Sequence, residues 1–379
     1  MSALDDYRAA LAAELAALAA AGLRRRLRAP QGLDLASNDY LGLAEHPRLS
    51  AAMREALAAG AAGAAGSRLL GGQRRCFEEL EPRLAAFSGA ESALLFASGY
   101  AANTGLLQAV LQRDDLVLSD ALNHASLIDG IRLSRARALV YPHQDLDAVE
   151  RALRAPRAGR AFVVTESVFS MDGDLTPLAA LVELAQRHGA LLIVDEAHAT
   201  GLYGRRGAGR IEELGLREGV LATVHTGGKA LGSAGAWVAA PAPLRELLIH
   251  RARPFVFSTA PLPVLAAALQ AGLDVVRDEP GRRAEVHRKA ALLRGALAAA
   301  GVPASGASAI VPIVVGDNAA ALALQDGLLA AGFDARAVRP PTVPAGTARL
   351  RVSVRCPLAD ADLQRFAAEV GRLLGARAA

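Results

Sequence analysis

Lys229 is one of only two lysines in this chain, the other being Lys289, although lysines and arginines together number 42. An arginine keeps its charge in proteins, whereas a lysine can lose its proton when its surroundings lower the pKa of the amine. Lys229 lies in the segment 226–233 (TGGKALGS), whose small residues would let a flat ligand approach the backbone. A neutral amine that forms a Schiff base with an aldehyde cofactor fits this setting. Nucleotide bias that left two surface lysines is the alternative.

Polar residues elsewhere in the chain could meet the further needs of a pyridoxal phosphate site. The phosphate requires backbone N–H groups at a helix start, and the ring nitrogen requires a carboxylate. The segment 98–103 (SGYAAN) could supply the first and Asp195 the second, with His124, Ser170 and His198 as further candidates. Each also has a structural interpretation: an ordinary glycine turn, a salt-bridged or metal-bound carboxylate, or a side chain that only satisfies local hydrogen bonds. Only the combination is specific.

Short apolar runs precede these polar segments. The runs 93–96, 115–118, 161–164, 190–194 and 221–224 are apolar apart from Asp115 and Thr223, and they do not alternate. This pattern predicts strands that are buried on both faces, and hence a mostly parallel sheet flanked by helices. Ligands bind at the carboxyl edge of open α/β sheets. We therefore expect the polar residues that follow the runs to gather at one edge of a sheet.

The chain divides into three predicted regions. An N-terminal amphipathic helix, expected near 9–21, and an arm precede a large α/β domain, and a smaller α+β domain with strands near 310–315 and 348–354 follows it. The predicted bounds are 1–40 for the helix and arm, 41–240 for the large domain that binds the cofactor, and 241–379 for the C-terminal domain.

Composition disfavours several classes of protein. The net charge is +4 and the arginines are scattered, so a nucleic-acid partner is not expected. The apolar segment 9–21 is too short and too rich in alanine to span a bilayer. A basic cluster follows this segment, whereas the basic residues of a signal peptide precede its apolar part. Cys76 and Cys356 offer neither a disulfide framework nor a metal site. Gly-x-Gly-x-x-Gly does not follow the first predicted strand, which disfavours a nicotinamide-dependent dehydrogenase. We expect a cytoplasmic protein without membrane contacts.

Taken together, the motifs resemble the α-oxoamine synthases, a family of pyridoxal-phosphate enzymes. The segments that carry the resemblance, which extends from residue 24 to about residue 354, are 37–43 (SNDYLGL), 66–72 (GSRLLGG), 98–103 (SGYAAN), 124–126 (HAS), 168–174 (VFSMDGD), 194–201 (VDEAHATG) and 229–232 (KALG). It implies the PLP-dependent transferase fold type I, which is aspartate-aminotransferase-like. Two departures are Phe77, where the family usually carries a histidine, and the glycines before Lys229, where bulkier residues are common.

The resemblance implies roles for the residues around the cofactor ring. Lys229 would hold pyridoxal phosphate as a Schiff base and then move the α-proton of the substrate. Asp195 would pair with the pyridinium nitrogen, while Ser170 and His198 would contact the phenolic oxygen of the ring. His124 would stack on the ring and contact substrate. Lys229, His124 and Asp195 would form the catalytic set.

The phosphate and the subunit interface are also implied. Gly99, Tyr100 and Thr226 would surround the phosphate or its approach. Thr259 would reach the phosphate from the second subunit, so the resemblance implies a homodimer with active sites at the subunit interface.

The resemblance also implies substrates. Arg351 would bind the carboxylate of the amino acid, and Arg24 and Thr342 would contact substrate. The segment 339–351 (RPPTVPAGTARLR) is most similar to the family members of biotin biosynthesis. Those members condense L-alanine with a pimeloyl thioester of acyl carrier protein or CoA. Glycine C-acetyltransferase, 5-aminolevulinate synthase and serine palmitoyltransferase remain alternatives, because the cofactor residues do not distinguish them. A regulatory protein that kept the fold without catalysis is a further alternative, which the catalytic set disfavours.

Overall fold

Helices and strands alternate over residues 2–60 and 62–378, which are the residues that the computed structural model describes. The strands are β1 (Leu33–Asp34), β2 (Ser92–Phe96), β3 (Leu116–Asp120), β4 (Arg137–Tyr141), β5 (Ala161–Glu166), β6 (Ala190–Asp195), β7 (Ala222–Thr226), β8 (Ala236–Ala240), β9 (Ile310–Gly316), β10 (Phe333–Asp334), β11 (Arg336–Val338) and β12 (Ala348–Ser353). The helices are α1 (Ala3–Ala20), α2 (Pro47–Ala59), α3 (Arg75–Ser88), α4 (Gly99–Val110), α5 (Ala125–Ser134), α6 (Leu146–Arg154), α7 (Leu178–Arg187), α8 (Arg210–Glu213), α9 (Ala242–Arg251), α10 (Arg253–Val256), α11 (Pro263–Asp278), α12 (Gly281–Ala299), α13 (Asn318–Ala330) and α14 (Asp360–Ala378).

The chain forms two compact units. The larger one, called the sheet unit here, comprises Asn38–Ser170 and Asp174–Val286. The other, called the terminal unit, comprises Met1–Ser37, Met171–Gly173 and His287–Ala379. The domain bounds of the sequence analysis stay a prediction; in the compact units, residues 241–286 group with the sheet unit.

A seven-stranded sheet organises the sheet unit, with the strand order β2-β8-β7-β6-β5-β3-β4. The five strands from β7 to β4 pair in parallel, whereas β8 is antiparallel to both of its neighbours. The predicted α/β class with a mostly parallel sheet is therefore confirmed. β2 and β7 point the same way because both are antiparallel to β8, so the carboxyl ends of β2, β3, β5, β6 and β7 share one edge.

Helices cover both faces of this sheet, which explains the continuous apolar runs. Phe162 and Val164 of β5 belong to a buried cluster that contains Leu106 of α4. The intervening Val163 belongs to a second cluster, on the other side of the strand, that contains Leu178 of α7. Each such side chain contributes about 1.5–3 kcal/mol when it is fully buried. Burial on both faces disfavours polar residues along a strand unless they are hydrogen-bonded, so most of the polar residues collect at the edge.

The terminal unit has its own core and a smaller sheet. The antiparallel strands have the order β11-β12-β9, and β1 pairs in parallel with β10. Leu297, Leu350 and Phe366 are among the buried residues of its core. The strands predicted near 310–315 and 348–354 are β9 and β12.

The predicted N-terminal helix is α1, which starts earlier than predicted, at Ala3. Ser2 and Asp5 form a capping box that fixes this start. No described residue of α1 is buried. Its large apolar side chains recur every three or four residues and share one helix face: Leu4, Tyr7, Leu11, Leu15 and Leu18. Among the helices of the described chain, none combines the length and the hydropathy that crossing a bilayer requires.

Candidate active site

The carboxyl ends of the parallel strands bring polar candidates together. Glu166 at the end of β5 pairs in register with Asp195 at the end of β6. Helix α4 begins directly after β2 at this edge, where Ser98 Oγ accepts the N–H of Ala101 at 3.1 Å and caps the helix. A helix start carries unpaired N–H groups and a partial positive charge. This edge of the sheet can therefore bind an anion such as phosphate.

Lys229 lies in the loop between β7 and β8, where its amine contacts a histidine. Lys229 Nζ is 2.8 Å from His198 Nε2, and His198 Nδ1 is 2.8 Å from the hydroxyl of Tyr40. The Tyr40 hydroxyl also donates to Asn38 Oδ1 at 3.2 Å. His198 and Tyr40 are both buried. The arrangement fits donation from the amine to His198 Nε2, and it holds the amine at a fixed place on the sheet edge.

Asp195 is a buried carboxylate, and both of its oxygens accept hydrogen bonds. Oδ2 accepts from Asn103 Nδ2 at 2.7 Å, and Oδ1 accepts from the Ala197 N–H at 2.8 Å. Among the described residues, no cationic side chain forms an ion pair with this carboxylate. A buried charge without a countercharge is costly. The site therefore suits a ligand that brings a positive charge to Asp195, as the pyridinium nitrogen of pyridoxal phosphate does.

His124 caps α5 and presents a neutral ring. Its Nδ1 accepts the Ser126 N–H at 3.2 Å, and its backbone N–H donates to Glu166 Oε1 at 2.6 Å. Desolvation lowers the pKa of His124; the charge of Asp195 opposes this shift and the charge of Lys229 adds to it. Much of the residue remains open to solvent in the single chain, although protein atoms crowd the ring enough to desolvate it. A flat, uncharged ring is thus available for stacking.

Two fully enclosed glutamates flank Asp195. Burial and the neighbouring charge of Asp195 raise the pKa of Glu166 to about 8, against the opposing effects of Lys229 and of the His124 N–H. Burial raises the pKa of Glu196 to about 7, although two backbone N–H groups at the start of α8 donate to it. Glu166 is therefore mostly protonated at neutral pH and Glu196 is close to half-protonated, which limits the negative charge near Asp195.

Gly99 and Thr226 lie close together beside the start of α4. A Cβ added to Gly99 would lie 4.0 Å from both Cβ and Oγ1 of Thr226. The Thr226 hydroxyl accepts the N–H of Gly228 at 3.2 Å and donates to the Gly235 carbonyl at 3.2 Å. Helix-start N–H groups and a threonine hydroxyl are donors that suit a phosphate. The donor set therefore fits the phosphate of the expected cofactor.

Close packing requires some of the small residues around Lys229. A Cβ on Gly227 would lie 2.2 Å from Leu269 Cδ2 and 2.7 Å from the Ala234 carbonyl oxygen, and this backbone oxygen cannot move aside as a side chain can. Gly201 has φ +85°, and its Cβ would lie 2.7 Å from the Cβ of Ala230. A Cβ on Gly228, by contrast, would meet no atom closer than 3.6 Å. The backbone of Ala234 and the side chain of Leu269 therefore explain why Gly227 departs from the bulkier residues of the family. The residues of this loop are small partly because of packing and not only for ligand access.

The other predicted cofactor residues have different surroundings. Ser170 is buried in a loop that an isolated β-bridge closes. Tyr100 is half-exposed on α4, and its hydroxyl donates to the carboxylate of Asp129. Thr259 is exposed between α10 and α11. The roles of these three residues stay predictions.

His143, which the sequence analysis does not single out, holds the loop of Ser170. Its Nδ1 is 2.8 Å from Asp120 Oδ1, and its Nε2 is 2.7 Å from Asp174 Oδ2. The ring also packs edge-to-face on Phe169, with centroids 4.4 Å apart. Burial disfavours its charged form, but the hydrogen bonds and charges of the two aspartates outweigh burial and raise the pKa of His143 to about 10. The imidazolium therefore links the end of β3 to this loop at neutral pH.

Three predicted substrate residues belong to the terminal unit. Arg351 is buried on β12, and its Nη1 donates to Ser353 Oγ at 2.8 Å. Thr342 is exposed and accepts from Arg25 Nη2 at 3.0 Å. Arg24 is exposed, and among the described residues it is Arg25 that contacts Thr342. The structure thus does not pair Arg24 with Thr342, and the substrate roles of these residues stay predictions.

Phe77, the other departure from the family pattern, has a packing role. Its ring is fully buried, and the guanidinium carbon of Arg68 lies 5.2 Å from the ring centroid. The same guanidinium lies 5.3 Å from the Phe255 ring and pairs with Glu81. A cation between two aromatic rings and a carboxylate is well satisfied. Phe77 therefore stabilises the segment that carries Arg68.

Sequence reasoning assigns no role to three residues that the structure places in the site. Asn103 lies four residues after Gly99 in α4, a spacing that puts both on one helix face and that could have indicated its position. Tyr40 lies in a motif of the resemblance, but its contact with His198 joins residues 158 positions apart. Glu166 is the first acidic residue after the apolar run 161–164, and this position could have indicated that it lies in the site.

Comparisons with known proteins agree with this geometry. A family model for aminotransferase class I and II matches residues 30–370. The 8-amino-7-oxononanoate synthase of Geobacter sulfurreducens is 46% identical to this chain over 96% of the chain and 97% of the relative. The enzyme of the same name from Mycolicibacterium gilvum is 49% identical over 91% of both chains.

Solved structures give the same picture. The serine palmitoyltransferase of Sphingomonas wittichii has a TM-score of 0.91 at 30% identity and covers 100% of this chain and 99% of its own. A serine palmitoyltransferase variant from S. paucimobilis with bound PLP–myriocin has a TM-score of 0.91 at 29% identity, with 99% of both chains covered. The 8-amino-7-oxononanoate synthase of Francisella tularensis has a TM-score of 0.80 at 27% identity, with 92% of this chain and 99% of its own covered.

Proposed function

We propose a function on the premise that this chain belongs to the aminotransferase class I and II family and, within it, to the α-oxoamine synthases. It catalyses the reaction of 8-amino-7-oxononanoate synthase, the decarboxylative condensation of L-alanine with a pimeloyl thioester in biotin biosynthesis. Relatives of that name, identical at 46% and 49% of positions, support the choice of substrates. The fold and class are those predicted from the sequence, fold type I and PLP-dependent acyl transfer.

Pyridoxal 5′-phosphate is the cofactor, and the residues present fit it. Lys229 supplies the amine for covalent attachment, and Asp195 supplies the carboxylate for the ring nitrogen. Thr226 and the N–H groups at the start of α4 offer donors to the phosphate. His124 offers a neutral flat ring. When bound, this cofactor withdraws electrons from the α-carbon of an amino acid and so stabilises negative charge there.

The observation that carries the proposal is the contact of 2.8 Å between Lys229 Nζ and His198 Nε2, at the sheet edge that also holds Asp195. Lys229 takes the α-proton of L-alanine as general base and returns a proton to the product. A base must lie within hydrogen-bond reach of the proton that it moves, and the contact with His198 limits where the amine can go. His198 is fixed in turn by Tyr40 at 2.8 Å.

Arg351 binds the carboxylate of L-alanine in this proposal. A guanidinium suits a carboxylate because it offers two parallel donors, and burial strengthens such a contact. Arg351 is buried, and its Nη1 donates to the uncharged hydroxyl of Ser353. Arg24 and Thr342 are proposed to contact the acyl substrate, whose carrier is acyl carrier protein or CoA.

The active unit is proposed to be a homodimer. Thr259 is exposed, although the proposal gives it a contact with phosphate in the other subunit. Large apolar side chains on both sides of it are exposed in the single chain, including Phe257 at 71% and Leu262 at 49%. Leu70, whose side chain is 84% exposed, lies on the neighbouring segment 66–72. A hydrogen bond from the Ala260 N–H to the Gly66 carbonyl joins that segment to the segment of Thr259. Several large exposed apolar side chains on two joined segments are typical of a surface that a second subunit covers.

The test is a substrate panel with mass identification of the product. Purified protein is incubated with pyridoxal phosphate, L-alanine, glycine or L-serine, and pimeloyl, acetyl, succinyl or palmitoyl thioesters. We expect the product of L-alanine with pimeloyl thioester to dominate in kcat/KM. Lys229→Ala abolishes turnover, whereas the matched variant Lys289→Ala retains it. Faster turnover of glycine with acetyl-CoA, or an active Lys229→Ala variant, contradicts the proposal.

A further inference from the structure

His225 is a buried histidine that the proposed chemistry does not use. It lies on β7 directly before Thr226, and its side chain makes two hydrogen bonds. Nδ1 is 2.9 Å from Thr200 Oγ1, and Nε2 is 2.8 Å from Thr223 Oγ1. The ring also stacks on Trp237, with centroids 5.1 Å apart and an angle of 11° between the planes. The position of the ring is therefore fixed by its edges and by its face.

The hydrogen bonds around this ring have one consistent donor order. Arg217 Nη1 donates to Thr223 Oγ1 at 3.2 Å, and a guanidinium can only donate. At the other end, Thr200 Oγ1 donates its single proton to the Glu196 carbonyl at 2.8 Å. Thr200 must therefore accept from His225, so Nδ1 carries the ring proton. Thr223 then donates to Nε2, and the bonds run in one direction from Arg217 to Glu196.

The charge state of His225 agrees with this order. Burial and the nearby charge of Arg217 lower the pKa of His225 to about 3. The ring is thus neutral over the whole physiological range, and it keeps the tautomer that Thr200 requires.

This line of hydrogen bonds joins two backbone segments that meet at the active site. Thr200 lies in the turn 196–201, which also carries His198. The backbone N–H groups of Ala199 and Thr200 both donate to the Glu196 carbonyl and so form this turn. His225 lies on β7, which ends at Thr226 and leads through Gly227 and Gly228 to Lys229. This turn contacts the loop between β7 and β8 directly, because His198 Nε2 lies 2.8 Å from Lys229 Nζ.

We propose that His225 is a positioning residue whose neutral ring ties the turn of His198 to the strand of Lys229 and so sets the contact between these two side chains. A movement of the turn by a few tenths of an ångström would lengthen the 2.8 Å contact between Lys229 Nζ and His198 Nε2. Hydrogen bonds weaken steeply with length and angle. The ring of His225 thus acts on the lysine through Thr200, without touching the reacting atoms.

Two matched substitutions separate this role from ordinary stabilisation. Thr200→Val removes the hydroxyl between His225 and the turn, whereas Thr223→Val removes the bond on the far side of the ring. Both residues are buried threonines of the sheet unit, so similar losses of thermal stability are expected. Only Thr200→Val should move the site. The pH midpoint of the visible absorbance of bound pyridoxal phosphate reports the environment of Lys229.

We expect Thr200→Val to shift that midpoint by about 0.5 pH unit or more, and to lower kcat about fivefold or more with little change in KM. Thr223→Val should leave the midpoint within about 0.2 pH unit of the wild type. His225→Asn can still present an N–H to Thr200 and should resemble the wild type, whereas His225→Phe keeps only the stacking and should resemble Thr200→Val. Equal midpoints in the two threonine variants overturn the proposal.

A direct readout on the wild type does not depend on the proposed reaction. Selective 15N-histidine NMR of the cofactor-free protein should show His225 with a protonated Nδ1, unchanged from pH 5.5 to 9. A His225 ring protonated at Nε2, or one that titrates in this range, overturns the proposal even if the enzyme is active. The expected effect on kcat rests on the proposed function. A wild type without turnover would contradict that function, whereas an unchanged kcat of Thr200→Val in an active enzyme would overturn the positioning role of His225.

Discussion

Glu166→Gln removes an enclosed carboxyl at the end of β5 while keeping its shape. The Glu166 carboxyl accepts the backbone N–H of His124 at 2.6 Å, and an amide oxygen can accept the same bond. The amide cannot ionise. The variant therefore isolates the energetic effect of the charge from the effect of the contact.

The magnitude follows from the pKa of Glu166, which burial raises from the ordinary value of 4.5 to about 8. A raised pKa in the folded state adds stability that is fully present below pH 4.5 and is lost as pH rises through about 8. Each pH unit between these values is worth about 1.4 kcal/mol. Between pH 5 and pH 7.5, the wild type should lose about 3 kcal/mol of unfolding free energy through this group alone, and Glu166→Gln should not.

The assay is urea unfolding of the cofactor-free protein at pH 5, 6 and 7.5. The free energy of unfolding of Glu166→Gln minus that of the wild type should grow by about 3 kcal/mol over this range. Glu183→Gln is the control, since its carboxyl is exposed on α7 and forms an ion pair with Arg187 one turn away. Its curve should run parallel to that of the wild type. A Glu166→Gln curve that also runs parallel would mean that Glu166 is ionised in the folded protein, and would refute the reasoning.

Three further predictions concern the supports of the site. Asn103→Ala should cost about 3 kcal/mol of unfolding free energy, because a buried charge-assisted hydrogen bond to Asp195 is lost. A double-mutant cycle with Asp195→Asn should show a coupling energy of about 1.5 kcal/mol or more. Additive effects would show that the two side chains do not act together. Gly227→Ala should destabilise the protein by about 1–3 kcal/mol in thermal unfolding, because its Cβ would overlap Leu269. The control Gly228→Ala should be tolerated. Equal effects of the two substitutions would contradict the packing argument. His143→Gln should cost about 2 kcal/mol at pH 6.5. Because the pKa of His143 is raised to about 10, this cost should shrink as pH rises toward 10, and a cost independent of pH would contradict the ion pairs.

Most of the sheet could be predicted from the sequence, because strands buried on both faces have a continuous apolar pattern. The predicted runs correspond to β2, β3, β5, β6 and β7. β4 was not predicted: it is one of the two edge strands, four of its five residues are exposed, and it begins with Arg137. β8 is fully buried, but it begins only nine residues after β7 ends and is mostly alanine, so no pattern separates it from the small residues of the intervening loop.

The site was partly predictable for a similar reason. Asp195 and His198 follow a strong strand signal, and the rarity of lysine drew attention to Lys229. Residues that act through distant partners could not be found this way. The spacing from Gly99 could have placed Asn103 on the right face of α4, but its partner Asp195 is 92 positions away, and no local pattern predicts that contact. His143 is similar, since its role depends on Asp174 being 31 positions away in sequence but 2.7 Å away in space.

The identity of the lysine that carries the cofactor tests the central claim most directly. The holoenzyme is reduced with borohydride, digested and mapped by mass spectrometry, and only two lysines have to be distinguished. We predict one equivalent of pyridoxyl label on the peptide of Lys229 and none on that of Lys289. A label on Lys289, or a reduced protein with neither lysine modified, would contradict the assignment of this chain's chemistry to the amine beside His198.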